Sequence, residues 1–248
     1  MKKLFYLLPV CFMLMSCTRQ VLAPLEPDDE FERAMSLFDK KKYASATQAF
    51  ERIIFYYPSS EYIDDAQYWL ARTCFAEKNY SQSIIEFEYL INNFSNSEFL
   101  EEAYLYRAKS YLFETPSYDR DQTKLNQAIN LFDDFLTRFP NSQHTNEVRE
   151  LILTGRNRLA QKEVINGKLY IKLNKLEAAL IYFNYVVETY PETKAASEAK
   201  YYTARVYEKK GEIEEALNLY EELRADSDWQ KKAAKRIEEI KKNQKKNN

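Results

Sequence analysis

Five stretches of this chain rewrite one pattern: YASATQAFERIIFYYP at 43–58, YSQSIIEFEYLINNFS at 80–95, LNQAINLFDDFLTRFP at 125–140, LEAALIYFNYVVETYP at 176–191 and IEEALNLYEELRADSD at 213–228. The fourth letter is always small: Ala46, Ser83, Ala128, Ala179, Ala216. The eighth is always aromatic: Phe50, Phe87, Phe132, Phe183, Tyr220. An apolar residue follows three later, and spacings of four and three set these positions on one side of a helix. Four stretches stop at Pro58, Ser95, Pro140 and Pro191, where a helix is expected to end.

Each stretch is preceded by a second helical pattern with its own small residue: Ala34, Ala71, Ala108, Gly167 and Ala204. Three positions on come Leu37, Cys74, Tyr111, Tyr170 and Tyr207, so Cys74 falls in a packing slot as a buried, inert thiol. The unit is a pair of antiparallel helices that cannot bury its apolar side alone and must stack on copies of itself. The expected fold is therefore all-α, an α-solenoid of five helical hairpins with a C-terminal capping helix. The letters resemble the tetratricopeptide repeat, although the step from Ala46 to Ser83 is longer than that family's period of about 34 residues.

Two departures stand out. ETPSYDRDQTK, at 114–124, lengthens the turn of unit three and reads as a protruding loop. The segment from Pro140 to Gly167 is about twice as long as that from Pro58 to Ala71, and the excess comes close to four helical turns. One long helix over about 146–173 accommodates it and braces units one to three against units four and five. Past Asp228, the spacing of Trp229, Ala233, Ile237 and Ile240 suits an amphipathic cap, followed by a basic tail.

The N-terminal MKKLFYLLPVCFMLMSC has the layout of an export signal: Lys2 and Lys3, then an apolar run from Leu4 to Met15. That run is too short for a spanning helix, which needs about 20 residues. Leu14-Met15-Ser16-Cys17 resembles the lipobox of bacterial lipoproteins, which implies cleavage before Cys17 and a diacylglyceryl and acyl lipid on this residue. The following TRQVLAPLEPDDE reads as an extended tether. The domains so expected are 1–16 signal peptide, 17–29 lipidated tether, 30–144 units one to three, 145–228 long helix with units four and five, and 229–248 cap and tail.

Composition excludes much else. One histidine, three glycines and three cysteines leave no material for a phosphate loop, a metal cluster or a histidine relay. His144 lies in a polar turn. No catalytic residue, metal site or further cofactor is expected, so the chain reads as no enzyme. A net charge of −2 argues against a nucleic-acid partner.

On the first helices a second stripe reads Phe31/Met35/Phe38, Tyr68/Arg72/Phe75, Leu105/Lys109/Leu112, Val164/Lys168/Ile171 and Tyr201/Arg205/Glu208. Apolar residues flank a cation in units two to four. Either these aromatics are core, tilted between hairpins, or they line a groove for an extended, partly aromatic peptide. In the second reading Phe31, Phe38, Tyr68, Arg72, Phe75, Leu105, Lys109 and Leu112 form the groove, with Arg72 and Lys109 pairing with a carboxylate or with backbone carbonyls. Tyr201 and Arg205 are assigned to a partner.

The lipobox, the five units and the turns of YYPSSEYIDDAQYWLA and NFSNSEFLEEAYLYRA together resemble the BamD-type lipoproteins of the β-barrel assembly machinery. The resemblance implies a lipid-anchored protein on the periplasmic face of the outer membrane. It also implies a barrel-forming subunit bound by the C-terminal repeats and unfolded barrel segments received by the N-terminal ones. The rivals are a Tol-Pal-type periplasmic coordinator, which normally carries a coiled coil, and a glycan-binding outer-membrane lipoprotein, normally much longer.

Overall fold

The computed structural model describes residues 25–115 and 121–247. Cys17, the signal segment and the tether up to residue 24 lie outside these, as does the middle of the expected protruding loop. The described residues form helices and no strand. Five hairpins follow in order: α1 Pro27–Asp39 with α2 Tyr43–Tyr56; α3 Ile63–Ala76 with α4 Tyr80–Asn93; α5 Leu100–Glu114 with α6 Thr123–Arg138; α7 Thr145–Lys172 with α8 Leu176–Thr189; α9 Lys194–Lys210 with α10 Ile213–Glu222. A 3-10 turn, Leu223–Ala225, leads to the cap α11, Gln230–Asn247. The solenoid expected from the repeat is the architecture found.

The start of unit one differs from expectation. Pro27, placed in the tether, opens α1, and Asp28, Asp29 and Glu30 fill its first turn. Proline there has no N–H to lose, and acidic groups favour the positive end of the helix dipole. Helix α1 therefore begins within the segment expected as tether.

Within four of the hairpins the reversal is the same. A residue with positive φ follows the first helix: Lys41 at 55°, Lys78 at 66°, Asn174 at 57° and Gly211 at 85°. Its N–H, and that of the next residue, return to carbonyls in the last turn, as Lys78 to Phe75 at 3.0 Å and Asn79 to Cys74 at 2.9 Å. This caps orphan carbonyls. Between hairpins a serine does the corresponding work: the hydroxyls of Ser60, Ser97 and Ser142 accept from the N–H of Tyr62, Phe99 and His144. His144 is thus a turn residue beside Glu147.

Small residues face aromatic ones across every hairpin. Ala34, Ala71, Ala108 and Ala204, like Phe50, Phe87, Phe132 and Tyr220, are completely buried. Unit four uses Gly167, where an added Cβ would sit 2.5 Å from the ring of Phe183. Cys74 is buried in the first core, and burial, with Glu86 next, pushes its thiol up to about 12.

The helix α7 belongs to two cores. Val148 packs with Phe132 and Phe135, whereas Ala160 and Val164 pack with Phe183 and Val186. Gly155 touches Ile129 on one side, and Gly167 touches Phe183 on the other. Arg158 reaches back to the Leu112 and Thr115 carbonyls at the end of α5, both at 3.4 Å. The expected brace spans Thr145–Lys172. At the far end Ala233, Ile237 and Ile240 seal the last hairpin, and Arg236 pairs with Glu208.

Candidate functional site on the inner wall

First helices of successive hairpins touch, α3 on α5 and α7 on α9, while second helices stand further apart. The inner wall is therefore made by first helices, and an ion pair crosses most of its junctions. Arg72 donates to Glu102 at 3.3 Å and to the Tyr68 hydroxyl at 2.5 Å, with its guanidinium 3.8 Å from the centre of Tyr106. Lys109 meets Glu147 at 2.6 Å, and this contact holds the Glu147 carboxyl below its ordinary value. Lys168 meets Glu198 at 3.0 Å and lies 4.8 Å from the Tyr202 ring. Burial alone would lower the Lys168 ammonium; Glu198 turns the shift upward. The last link is Arg236 on Glu208.

Between hairpins the rule is a cation on one unit seated on a carboxylate, often beside an aromatic ring, of the next; at the cap the direction reverses, with Arg236 of α11 on Glu208 of unit five. At the first junction the cation is absent. Met35 stands where Arg72 and Lys168 stand, and Asp65, the counterpart of Glu102 and Glu198, has no ion pair among the described residues. Burial, then Asp64 and Glu98, raises the Asp65 carboxyl.

These contacts correct the groove assignment. Tyr68, Leu105 and Leu112 are 1%, 0% and 3% exposed, so they are mortar between hairpins and cannot line an open channel. Tyr68 stacks on Phe99 at 4.2 Å and donates to Glu102; burial, then this bond, lifts its phenol well above the ordinary value. Arg72 and Lys109, expected to meet a ligand, already hold internal carboxylates. Phe31 is half-buried against Tyr62 and Phe50.

The accessible aromatics sit one helical position further round. Trp69 and Tyr106, both half-buried, and Phe113, 51% exposed, form a lane with Phe38 and Phe75. Ring centres are 5.2 Å apart for Phe38 and Trp69, 5.0 Å for Phe75 and Tyr106, and 5.9 Å for Phe75 and Phe113. Arg72 lies in its middle, 5.8 Å from Trp69. Trp69 and Tyr106 had a signal in the sequence, being large aromatics at equal positions of successive units.

In unit five, Tyr201 lies 4.8 Å from Trp229 and 5.6 Å from Tyr220, which makes it the seat of the cap. Arg205 is different. Its side chain is 39% exposed, Glu208 lies 3.9 Å away, and its buried Nε has no hydrogen-bond partner among the described residues.

Stacked hairpins with an internally paired inner wall and an aromatic lane at one end define a tetratricopeptide-type scaffold. No helix among the described residues is long and apolar enough to cross a membrane. The chain belongs to the YfiO family of outer membrane lipoproteins, whose family model matches residues 25–223. It is 27% identical over 186 residues to the outer membrane protein assembly factor BamD of Rickettsia prowazekii, covering 75% of this chain and 74% of that one. To the protein of the same name from Caulobacter vibrioides it is 30% identical over 110 residues, 44% of this chain and 36% of the relative. Among solved structures, a thermophilic TPR protein of Thermus thermophilus aligns with a TM-score of 0.38 at 17% identity, covering 85% of this chain and 96% of that one.

Proposed function

We propose that the chain is a lipid-anchored scaffold of outer-membrane protein assembly on the periplasmic face. Cys17 carries the lipid, units four and five hold the barrel-forming subunit, and units one to three receive unfolded barrel segments. The observation that carries this reading is the aromatic lane of Phe38, Trp69, Phe75, Tyr106 and Phe113, which begins at the junction where Met35 replaces the internal cation. Barrel strands alternate apolar and polar residues, so an extended one lays alternate aromatics on such a lane. Membership in a family of outer membrane lipoproteins, and the assembly role for which the relatives are named, support the setting. Arg205, whose side chain is 39% exposed and meets Glu208 only at 3.9 Å, is the residue of unit five best suited to a carboxylate of the barrel-forming subunit.

The test separates the two ends. Phe113→Ser should weaken binding of a synthetic barrel-strand peptide by about fivefold or more, since an exposed aromatic anchor is worth roughly 1 kcal/mol or more. Arg205→Glu should reduce co-purification of the barrel-forming subunit and leave peptide affinity unchanged. Peptide affinity insensitive to Phe113→Ser would remove the lane from the proposal. Undiminished co-purification with Arg205→Glu would remove the C-terminal contact. Retention of a Cys17→Ala protein in the outer-membrane fraction would refute the anchor.

A further inference from the structure

On the opposite side, α2 and α4 stand apart over α3 and leave a groove of about 500 Å3. Leu70 and Gln67 make its floor, 5% and 2% exposed. Ile54, Phe55 and Tyr89 make its apolar walls, with Phe55 76% and Tyr89 48% exposed. Glu51 and Glu86 bring two carboxylates into it.

The same groove recurs between units four and five, in the same register of the repeat, and there it is only about 110 Å3. Gln67 corresponds to Lys200, whose ammonium pairs with Glu222 at 3.0 Å; Glu222 corresponds to Tyr89. Glu51 and Glu86 correspond to Asn184 and Leu219, and the open Phe55 to Glu188. In units four and five, then, the fold supplies the cation itself and sets Glu188 and Glu222 where units one and two have Phe55 and Tyr89. In units one and two the cation is gone, two carboxylates have come in and the walls have become aromatic.

No cation among the described residues forms an ion pair with either carboxylate. Gln67 donates to the Glu86 side chain at 2.7 Å and to its carbonyl at 3.0 Å, and Gln82 donates to the other carboxylate oxygen at 2.5 Å, all neutral contacts. Arg52, adjacent to Glu51 in sequence, is committed to Glu30 at 2.7 Å. Burial, followed by the charge of Glu86, raises the Glu51 carboxyl above its ordinary value.

We propose that this outer groove docks a partner protein through an arginine, or less well a lysine, set beside an apolar residue. The guanidinium lies between Glu51 and Glu86 with a face to Tyr89, and the apolar neighbour covers Phe55. Arginine suits the place better because it bonds carboxylates in pairs and stacks on aromatic rings. The contact lies apart from the inner wall, so the scaffold can hold this partner and an unfolded segment together.

The probe is an acetylated, amidated peptide, Leu-Leu-Arg-Leu-Ser, titrated into the full-length protein in detergent micelles with isoleucine δ1-methyl labels. Ile54 reports on the groove; Ile181 and Ile213 report on distant units. The Ile54 resonance should shift with the arginine peptide, and about tenfold more weakly when citrulline replaces arginine, because the charge-assisted bonds are lost. The Glu51→Gln/Glu86→Gln protein should lose the response while the signals of Ile53 and Ile91, which pack in the cores of units one and two, stay in place, which shows that these units are folded. An equal response to the citrulline peptide, or an unmoved Ile54, overturns the proposal. So does a shift of Ile54 on dilution without peptide, which assigns the groove to a second copy. A shift on deleting residues 18–24 assigns it to the chain's own N-terminal segment and likewise overturns it.

Discussion

Gly167 offers the sharpest test of how the hairpins close. An alanine methyl at this position would lie 2.5, 2.7 and 2.9 Å from three carbons of the Phe183 ring, where carbon atoms prefer about 3.5–4.0 Å. The ring cannot swing away freely: Phe183 is fully buried, and Tyr202 stacks on it at 5.9 Å. Alanine favours the helix by about 1 kcal/mol over glycine, while overpacking a filled core costs roughly 1–3 kcal/mol. Gly167→Ala should therefore be neutral to destabilising by about 2 kcal/mol, against a gain if propensity alone ruled. Phe183→Leu removes the offending ring atoms, so the two changes should couple favourably by about 1 kcal/mol in a double-mutant cycle. Repeat arrays need not unfold in one step, so hydrogen exchange of the α7 and α8 amides is the suitable measurement. If Gly167→Ala slowed exchange in α7 with no coupling to Phe183, the close-approach argument would be refuted.

Three further outcomes follow from the same structure. Lys78→Gly should stabilise the second hairpin by up to about 1 kcal/mol in urea unfolding, since φ of 66° strains any side chain; an unchanged midpoint would deny the strain. Glu30 is fully buried between Arg33 and Arg52, so Glu30→Ala should cost about 3 kcal/mol by leaving the arginines unpaired, with a loss near zero counting against a structural pair. Lys109 depresses the Glu147 carboxyl, so the contribution of their contact is complete above the ordinary value of 4.5 and disappears as pH falls below it. The melting temperature should drop in that range for wild type and less so for Glu147→Gln; identical profiles would show that the pair contributes nothing.

The solenoid was legible because its signal is repeated. Small and aromatic residues at fixed spacing, such as Ala46 and Phe50, specify both the helix face and the need for a neighbour. The length of α7 followed from counting turns, and the role of Cys74 from its place in the register. The inner wall was legible only in part. Choosing Tyr68 over Trp69, and Leu105 over Tyr106, is an error of one residue, yet one residue turns the face by about 100°. That rotation exchanges buried mortar for accessible lane.

By itself the sequence determined which faces are apolar, how many hairpins there are and where their turns fall, because these depend on chemistry within one turn or one repeat. Only the tertiary structure decided which charges are spent. Arg72 and Lys109 read as ligand-binding cations until carboxylates of the following unit come to rest on them. Pairing across a junction depends on how two helices pack, and no local spacing encodes the distance between their side chains. For the same reason Asp65, Glu51 and Glu86 emerge as lacking a cation among the described residues only once the whole stack is in place.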